Sequence, residues 1–239
     1  MNFTPIASSS AGNAYLLDSE GLPSLLIDAG VSMAEIQKAS GFQVSSLAGA
    51  LISHGHGDHF KAAHALMKYG VNVYAARETW GTTRHHRAKT LEPALEHQIK
   101  GWTVKPFLVP HDCPGTMAFI VADNLGGKLL YMTDSAYSPN TFKGLTHLAI
   151  ECNWSEAIMR ANAESGAISA ERYKRTTRTH MSLERLIVML KANDLTSVKE
   201  IHLIHLSDQN SDEAMFKKTV QEATGKPVYI AAKRSEVLK

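Results

Sequence analysis

The stretch Leu51-Ile52-Ser53-His54-Gly55-His56-Gly57-Asp58-His59-Phe60 decides the fold of this chain. Within it, four side chains of metal-binding types occupy six positions directly after an apolar run. Side chains at i and i+2 of an extended segment point the same way, so His54 and His56 can bind one ion. The chain then turns, with both glycines of the motif expected to remove steric obstacles, and presents Asp58 and His59 to a second ion. The motif predicts a dinuclear metallohydrolase.

A structural alternative exists for the carboxylate of this motif. Asp58 could cap the helix that follows, as aspartate commonly does at a helix N-terminus. Capping leaves the three histidines unexplained, and it can coexist with metal binding. Replacement of Asp58 by asparagine would separate the two roles, because asparagine still caps a helix but binds a hard cation poorly.

Further metal-binding residue types follow apolar runs elsewhere in the chain. A catalytic metal needs about three protein ligands and an open position for water. Three β-like runs lead into such a residue: Phe107-Leu108-Val109-Pro110 precedes His111, Leu129-Leu130-Tyr131-Met132-Thr133 precedes Asp134, and Ile201-His202-Leu203-Ile204 precedes His205. Loops at one edge of a rigid sheet commonly carry active-site groups. We therefore expect these three residues to complete the site.

Length and composition limit the class of protein. A chain of 239 residues with 44% hydrophobic and 20% charged residues can form a single globular domain, which we expect to span 1–239. A net charge of +2 means that affinity for nucleic acid must come from local basic patches. The chain has two cysteines, and neither a signal-peptide pattern nor a membrane-length apolar run. A cytoplasmic protein without a membrane partner is expected.

The periodicity of apolar residues predicts a fold with two β-rich halves. Helical periodicity occurs at 32–40, 59–69, 154–162, 181–192 and 211–223. Strand-like runs occur at 14–18, 24–28, 48–53, 102–109, 116–122, 128–133, 199–205 and 227–230. With the helices placed outside the strands, this pattern predicts an α/β fold, a four-layer αββα sandwich.

The order of these motifs resembles the metallo-β-lactamase fold superfamily. The features that carry the resemblance are His-x-His-x-Asp-His followed by a lone His, a lone Asp and a last His. Within the superfamily the chain is most similar to the WalJ (YycJ)-like branch of DNA-processing hydrolases, and supporting segments lie at 8–17, 25–30, 111–112, 133–135, 150–153, 179–182 and 205–208. The chain has Thr179-His180-Met181-Ser182 where that branch usually has Gly-His-Leu-Ser, and Asp134-Ser135-Ala136 where it usually has Asp-Thr-Gly.

The resemblance implies two metal sites bridged by Asp134, which would act with Asp58 as a catalytic carboxylate. The implied ligands are His54, His56 and His111 for one metal, and Asp58, His59 and His205 for the other. A hydroxide shared by the two cations would be the nucleophile. Zinc suits imidazole-rich sites, and manganese is the alternative. Candidates for orienting the imidazoles are Asp28, Asp112, Glu151, Asn153 and Asp208.

His180 follows a basic run and precedes a predicted helix. In the functional interpretation it contacts a phosphate or protonates the leaving group. The basic residues would then follow a phosphate backbone, because arginine meets phosphate oxygens in pairs; these residues are Arg172, Lys174, Arg175 and Arg178. The alternative is a solvated basic surface. Ser9 and Asn13 belong to a turn-forming stretch, which the resemblance implies lies close to the site.

The resemblance implies a metal-dependent phosphodiesterase that acts on nucleic acid, and it favours a DNA exonuclease. Metal-bound hydroxide would attack phosphorus. Three alternatives stay open: a phosphodiesterase for a cyclic nucleotide or other small molecule, a thioester or lactone hydrolase, and a metal-holding interaction module without turnover. Nucleic acid is the expected partner, and a homodimer is compatible with the sequence.

Overall fold

The computed structural model of the protein describes residues 1–232, which form a mixed α/β fold with two sheets. This confirms the predicted α/β class. The chain divides into two compact units. Unit 1 consists of Met1–Leu108, Cys113–Gly127 and Ala232, which is the last described residue. Unit 2 consists of Val109–Asp112 and Lys128–Ala231. The expectation of one domain over 1–239 stays a prediction, and its last seven residues lie outside the described range.

Unit 1 contains a six-stranded sheet whose strands lie in chain order. These strands are β1 (Asn2–Ser9), β2 (Gly12–Asp18), β3 (Leu25–Ile27), β4 (Gly49–Leu51), β5 (Val73–Ala75) and β6 (Ala88–Thr90). Parallel pairing of β3 with β4 aligns Ile27 with Leu51, so Asp28 and Ser53 reach the same edge of the sheet. Three antiparallel strands complete the unit: β7 (His97–Ile99), β8 (Trp102–Leu108) and β9 (Met117–Ala122).

The helices of unit 1 begin and end at residues suited to those positions. Ser32 and Glu35 form a capping box at the start of the first helix, which satisfies backbone N–H groups that would otherwise lack partners. The helix predicted at 59–69 is two helices, the first of which begins inside the metal motif at Gly57. The four helices are α1 (Met33–Ala39), α2 (Gly57–Phe60), α3 (Ala63–Lys68) and α4 (Arg77–Trp80).

Unit 2 contains four parallel strands in the order β10 (Lys128–Met132), β11 (His147–Glu151), β12 (Glu200–Ile204) and β13 (Val228–Ile230). Parallel strands covered on both faces are expected to be continuously apolar, and all of Leu129–Met132 is buried. The helices of the unit are α5 (Glu156–Glu164), α6 (Ala170–Thr179), α7 (Leu183–Lys191) and α8 (Glu213–Thr224). No helix within residues 1–232 combines the length and apolar character that a membrane span requires.

Candidate metal centre

Asp28 organises a first group of polar side chains, the Asp28 cluster, in unit 1. Its buried carboxylate accepts hydrogen bonds from the Ser53 backbone N–H at 2.7 Å, the Ser53 hydroxyl at 3.0 Å and His59 Nδ1 at 2.7 Å. Because Asp28 holds the proton on Nδ1, His59 can offer the lone pair of Nε2. A carboxylate behind an imidazole is the usual support of a metal-binding histidine.

His54 and His56 lie side by side in the same cluster, as their i, i+2 spacing predicts. His54 Nε2 is 3.1 Å from His56 Nδ1, and the Ser53 hydroxyl is 3.0 Å from His54 Nδ1. His54 is buried, whereas His56 is partly exposed. Two imidazole nitrogens that face each other at this distance suit a shared cation.

Asp58 and Asn13 lie on the outer side of His59. Asp58 Oδ2 is 3.4 Å from His59 Nε2, and Asn13 Nδ2 is 3.1 Å from the same nitrogen. The Ser9 N–H donates to Asn13 Oδ1 at 3.2 Å, so the turn that contains Ser9 supports Asn13. Helix α2 has His56 as its N-cap and has no side-chain capping hydrogen bond, so capping by Asp58 finds no support.

The close approach of Gly30 to the metal motif explains a glycine that the sequence left unassigned. An added Cβ at Gly30 would lie 1.6 Å from the carbonyl oxygen of Asp58. The expectation that the motif glycines remove steric obstacles is wrong. Neither Gly55 nor Gly57 has a positive φ, and an added Cβ would come no closer than 3.9 Å to any described atom beyond the nearby chain.

We expect Gly30→Ala to destabilise the protein while Gly57→Ala does not. The methyl group at Gly30 would displace the backbone that carries Asp58, and overpacking of this kind costs about 3 kcal/mol. The free energy of unfolding from urea titration measures the difference. Equal stability of the two variants would contradict the described contact between Gly30 and Asp58.

Glu151 organises a second group, the Glu151 cluster, in unit 2. Its Oε1 accepts hydrogen bonds from His180 Nδ1 at 2.7 Å and His205 Nδ1 at 2.8 Å. Its Oε2 accepts from the backbone N–H groups of Ser135 at 3.2 Å and Met181 at 3.0 Å. The carboxylate is only 1% exposed, so four donors replace the water it has lost. One buried side chain therefore orients two imidazoles and two loops.

Asp134 completes the Glu151 cluster. Its Oδ1 lies 3.2 Å from both His180 Nδ1 and His205 Nδ1, and its Oδ2 accepts from the Thr133 hydroxyl at 3.1 Å. One donor atom from each of Asp134, Glu151, His180 and His205 lies within 4.8 Å of the others. This set of imidazole and carboxylate donors fits a divalent cation.

The two carboxylates change the pKa of both imidazoles in the protein without metal. Burial alone would lower the pKa of His180, but the charge of Glu151 and the hydrogen bonds to Asp134 and Glu151 raise it to about 10. Burial also lowers the pKa of His205, but the charge of Asp134 and the hydrogen bond to it raise this pKa to about 9. Both rings therefore balance the buried negative charge while no cation is bound.

Backbone strain coincides with the candidate residues. The backbone φ is 57° at Asp28, 47° at Asp134 and 53° at His205. Asp28 directly follows β3, Asp134 lies two residues after β10, and His205 directly follows β12. This left-handed region is unfavourable for residues other than glycine and is often found at functional sites. Asn153 stabilises one of these turns, because its Nδ2 donates to the carbonyl oxygen of His205 at 2.8 Å.

His111 lies beside a basic helix in unit 2. Its Nδ1 is 3.3 Å from the carbonyl oxygen of Thr179, and its Nε2 is 3.1 Å from Asp112 Oδ1. Burial lowers the pKa of His111, although the charges of Asp134 and Asp112 raise it. A neutral imidazole is the form that binds metals.

A cleft of about 510 Å³, the α6 cleft, opens at this position. Its lining includes His111, Asp112, Lys174, Arg175 and Arg178. Arg175 Nε donates to Asp112 Oδ2 at 2.7 Å, which fixes one guanidinium in the cleft. Of the predicted substrate-binding residues of α6, three line this cleft. The fourth, Arg172, donates instead to Gln209 at 2.7 Å.

The chain is similar to known proteins along most of its length. The family model described as the Metallo-beta-lactamase superfamily matches residues 9–170. Exodeoxyribonuclease YycJ of Bacillus anthracis is 26% identical over 237 residues, which cover 93% of this chain and 88% of the relative.

Two solved structures share the fold across nearly the whole chain. The metallo-beta-lactamase fold protein YhfI of Bacillus subtilis is 18% identical with a TM-score of 0.72, and the match covers 98% of this chain and 97% of YhfI. Zn²⁺-bound PqqB of Methylobacterium extorquens is 13% identical with a TM-score of 0.71, and the match covers 98% and 99%. The shared fold and the donor chemistry of both clusters indicate that the chain binds divalent metal.

Proposed function

The chain belongs to the metallo-beta-lactamase superfamily, and from that premise we propose that it is a metal-dependent phosphodiesterase acting on nucleic acid. The favoured activity is that of a DNA exonuclease, because similarity to exodeoxyribonuclease YycJ supports the WalJ (YycJ)-like branch. The observation that carries the proposal is the α6 cleft, in which basic side chains of one helix stand beside His111. A small neutral thioester or lactone would not need such a cleft.

The proposed metal ligands are His54, His56, Asp58, His59, His111, Asp134 and His205, with zinc the favoured metal. When bound, divalent cations would lower the pKa of a water molecule and stabilise the negative charge that develops on the phosphate. Asp28 and Glu151 support the proposal, because they hold the proton on Nδ1 of His59 and His205, the tautomer whose Nε2 can bind a metal.

His180 would hold the phosphate rather than a metal. Its Nδ1 faces Glu151 and Asp134, so Nε2 is the nitrogen left for substrate. When protonated, the ring can donate from Nε2 to a phosphate oxygen or to the leaving oxygen. Lys174, Arg175 and Arg178 would bind neighbouring phosphates along α6.

Nucleic acids labelled at the 5′ or 3′ end test the proposal. Metal-loaded protein should shorten labelled DNA from one end, and each label should report the direction. RNA, cyclic nucleotides, a thioester and a lactone are the comparison substrates. Faster hydrolysis of a cyclic nucleotide, or of a thioester or lactone, than of any labelled polymer would contradict the proposal.

Neutralising the α6 cleft should weaken the polymer reaction selectively. For Lys174→Gln combined with Arg178→Gln, we expect the KM for single-stranded DNA to rise about tenfold, with a salt dependence shallower by about 0.7 per lost phosphate contact. Hydrolysis of bis(p-nitrophenyl) phosphate should change little, because this small diester does not reach along the helix. The matched control is Lys217→Gln with Lys218→Gln, two exposed residues of α8. An equal loss on both substrates would argue against a polymer-binding cleft.

A further inference from the structure

A second concave surface of unit 2, the Tyr137 groove, has no role in the reaction described so far. Its volume is about 490 Å³, and its lining includes Tyr137, Asn140, Met181, Arg185, Val188 and Met189. Tyr137 is 56% exposed and Val188 is 70% exposed, so an aromatic ring and a branched apolar side chain face solvent. The volume lies within the range of small-ligand sites, about 300–1,000 Å³.

Hydrogen bonds of the buried Glu151 connect the backbone of the groove to the candidate site. Glu151 Oε2 accepts hydrogen bonds from the N–H groups of Ser135 and Met181, and its Oε1 accepts from His180 and His205. The Ser135 hydroxyl in turn donates to the Tyr137 carbonyl oxygen at 2.9 Å. Both walls of the groove are therefore fixed by the carboxylate that orients the two imidazoles.

The two chain neighbours of His180 belong to the linings of the α6 cleft and of the groove. Thr179 lines the cleft, and Met181 lines the groove. The Trp154 indole N–H donates to the His180 carbonyl oxygen at 3.1 Å, which fixes the backbone of this segment. Arg185 Nη1 donates to the Thr177 carbonyl oxygen at 2.9 Å, so one end of the groove is tied to α6. The segment that carries His180 therefore connects the two surfaces.

The chemistry of the groove fits a flat group with apolar faces and polar edges. Tyr137 offers a ring for stacking, and the exposed side chain of Val188 offers apolar contact. Asn140 and Arg185 offer hydrogen-bonding groups at the rim. A basic cleft suits phosphates, whereas this groove suits a base.

We propose that the Tyr137 groove binds a nucleobase of the nucleic-acid substrate, next to the phosphate that contacts His180. This inference rests on the proposed function, because it needs a substrate that carries bases beside phosphates. It adds a base-binding subsite to the reaction. Stacking on an aromatic side chain tolerates every base, so the subsite would favour nucleic acid without selecting a sequence.

Binding of a labelled single-stranded oligonucleotide tests the inference apart from catalysis. Fluorescence anisotropy is measured with Asp134→Asn protein, which prevents degradation, and with Tyr137→Leu, Tyr137→Phe and Tyr69→Leu added to it. We expect Tyr137→Leu to weaken binding about tenfold, as loss of one stacked base does. Tyr137→Phe should stay within about twofold, because the ring remains. Tyr69→Leu is the matched control, since Tyr69 is an exposed tyrosine (48%) of unit 1.

Abasic substitutions at successive positions near the oligonucleotide end identify the base. One position should lose about tenfold in affinity with Tyr137 present and lose nothing further with Tyr137→Leu, because the same contact is then removed twice. Equal losses with and without Tyr137 would overturn the subsite. A change of sedimentation coefficient in Tyr137→Leu, without a change in oligonucleotide affinity, would also overturn it and indicate a contact between two copies.

The measurements distinguish an error in the base-binding subsite from an error in the proposed function. If the metal-loaded wild-type protein cleaves DNA and Tyr137→Leu matches it in affinity and KM, only the subsite is wrong. If the wild-type protein neither binds nor cleaves any oligonucleotide, the proposed function and the subsite are both wrong.

Discussion

Asp134→Asn is expected to remove metal-dependent phosphodiesterase activity while the fold stays intact. Asparagine keeps the shape of the side chain and can still accept from the Thr133 hydroxyl, but it loses the charge beside His180 and His205. Loss of a group that only supports a metal ligand commonly reduces affinity or activity about 10- to 100-fold, so loss of a ligand itself should exceed 100-fold. Initial rates of DNA cleavage at a fixed metal concentration measure the effect.

A surface carboxylate provides the control for this variant. Asp194→Asn removes the same charge from an exposed turn in which Asp194 accepts from the Thr196 N–H, and it should keep the wild-type rate. Metal content per chain is measured for both variants. If Asp134→Asn cleaves DNA as fast as the wild type, the activity comes from a contaminant or Asp134 is not a ligand.

Glu151→Gln is expected to weaken metal binding about 10- to 100-fold, although Glu151 is not a proposed ligand. The amide oxygen can replace only one of the two acceptor oxygens. If it faces the Ser135 and Met181 N–H groups, the amide NH₂ group meets Nδ1 of His180 and His205. Both rings must then carry the proton on Nε2, which blocks the nitrogen that His205 would offer to a metal. In the reverse orientation, the amide NH₂ group of the glutamine would face the backbone N–H groups of Ser135 and Met181, so donors would face donors.

The same substitution should destabilise the protein without metal. His180 and His205 have raised pKa values because Glu151 and Asp134 are beside them, so both lose part of a buried counter-charge. Removing one partner of a buried ion pair costs about 3 kcal/mol. Competition with a zinc chelator and urea titration measure the two effects, and exposed Glu164→Gln on α5 is the control. Unchanged zinc affinity in Glu151→Gln would mean that Glu151 does not orient His205.

The sequence could place the candidate metal-binding residues at strand ends, because metal-binding residue types are few and here follow apolar runs. The predicted runs near 24–28, 48–53, 128–133 and 199–205 correspond to β3, β4, β10 and β12. The pattern also suggested that Asp28 and Glu151 orient imidazoles, which the hydrogen bonds to His59 and His205 bear out. The sequence could not indicate that Glu151 holds His180 and two loops as well, because these contacts join distant segments.

Several other features of the structure could not be predicted, because the sequence carries no apolar pattern or local signal for them. Helix α6 was not predicted, because only Thr179 among its residues is buried and the helix has no apolar face to detect. Strands β6 and β7 consist largely of polar residues, Ala88-Lys89-Thr90 and His97-Gln98-Ile99, so they show no apolar run. Gly30 was not recognised as a close contact, because its neighbour is the backbone of Asp58, 28 positions later in the chain.

Anomalous diffraction at the zinc absorption edge, from crystals grown with zinc, tests the central claim most directly. The account predicts that imidazole nitrogens of His54, His59 and His205 each lie about 2.0–2.1 Å from one of two zinc ions. Asp134 should be a carboxylate ligand. Nδ1 of His59 and His205 should still donate to Asp28 and Glu151. Zinc found only at histidines outside the two clusters, such as the exposed His86, with both clusters free of anomalous signal, would contradict the account.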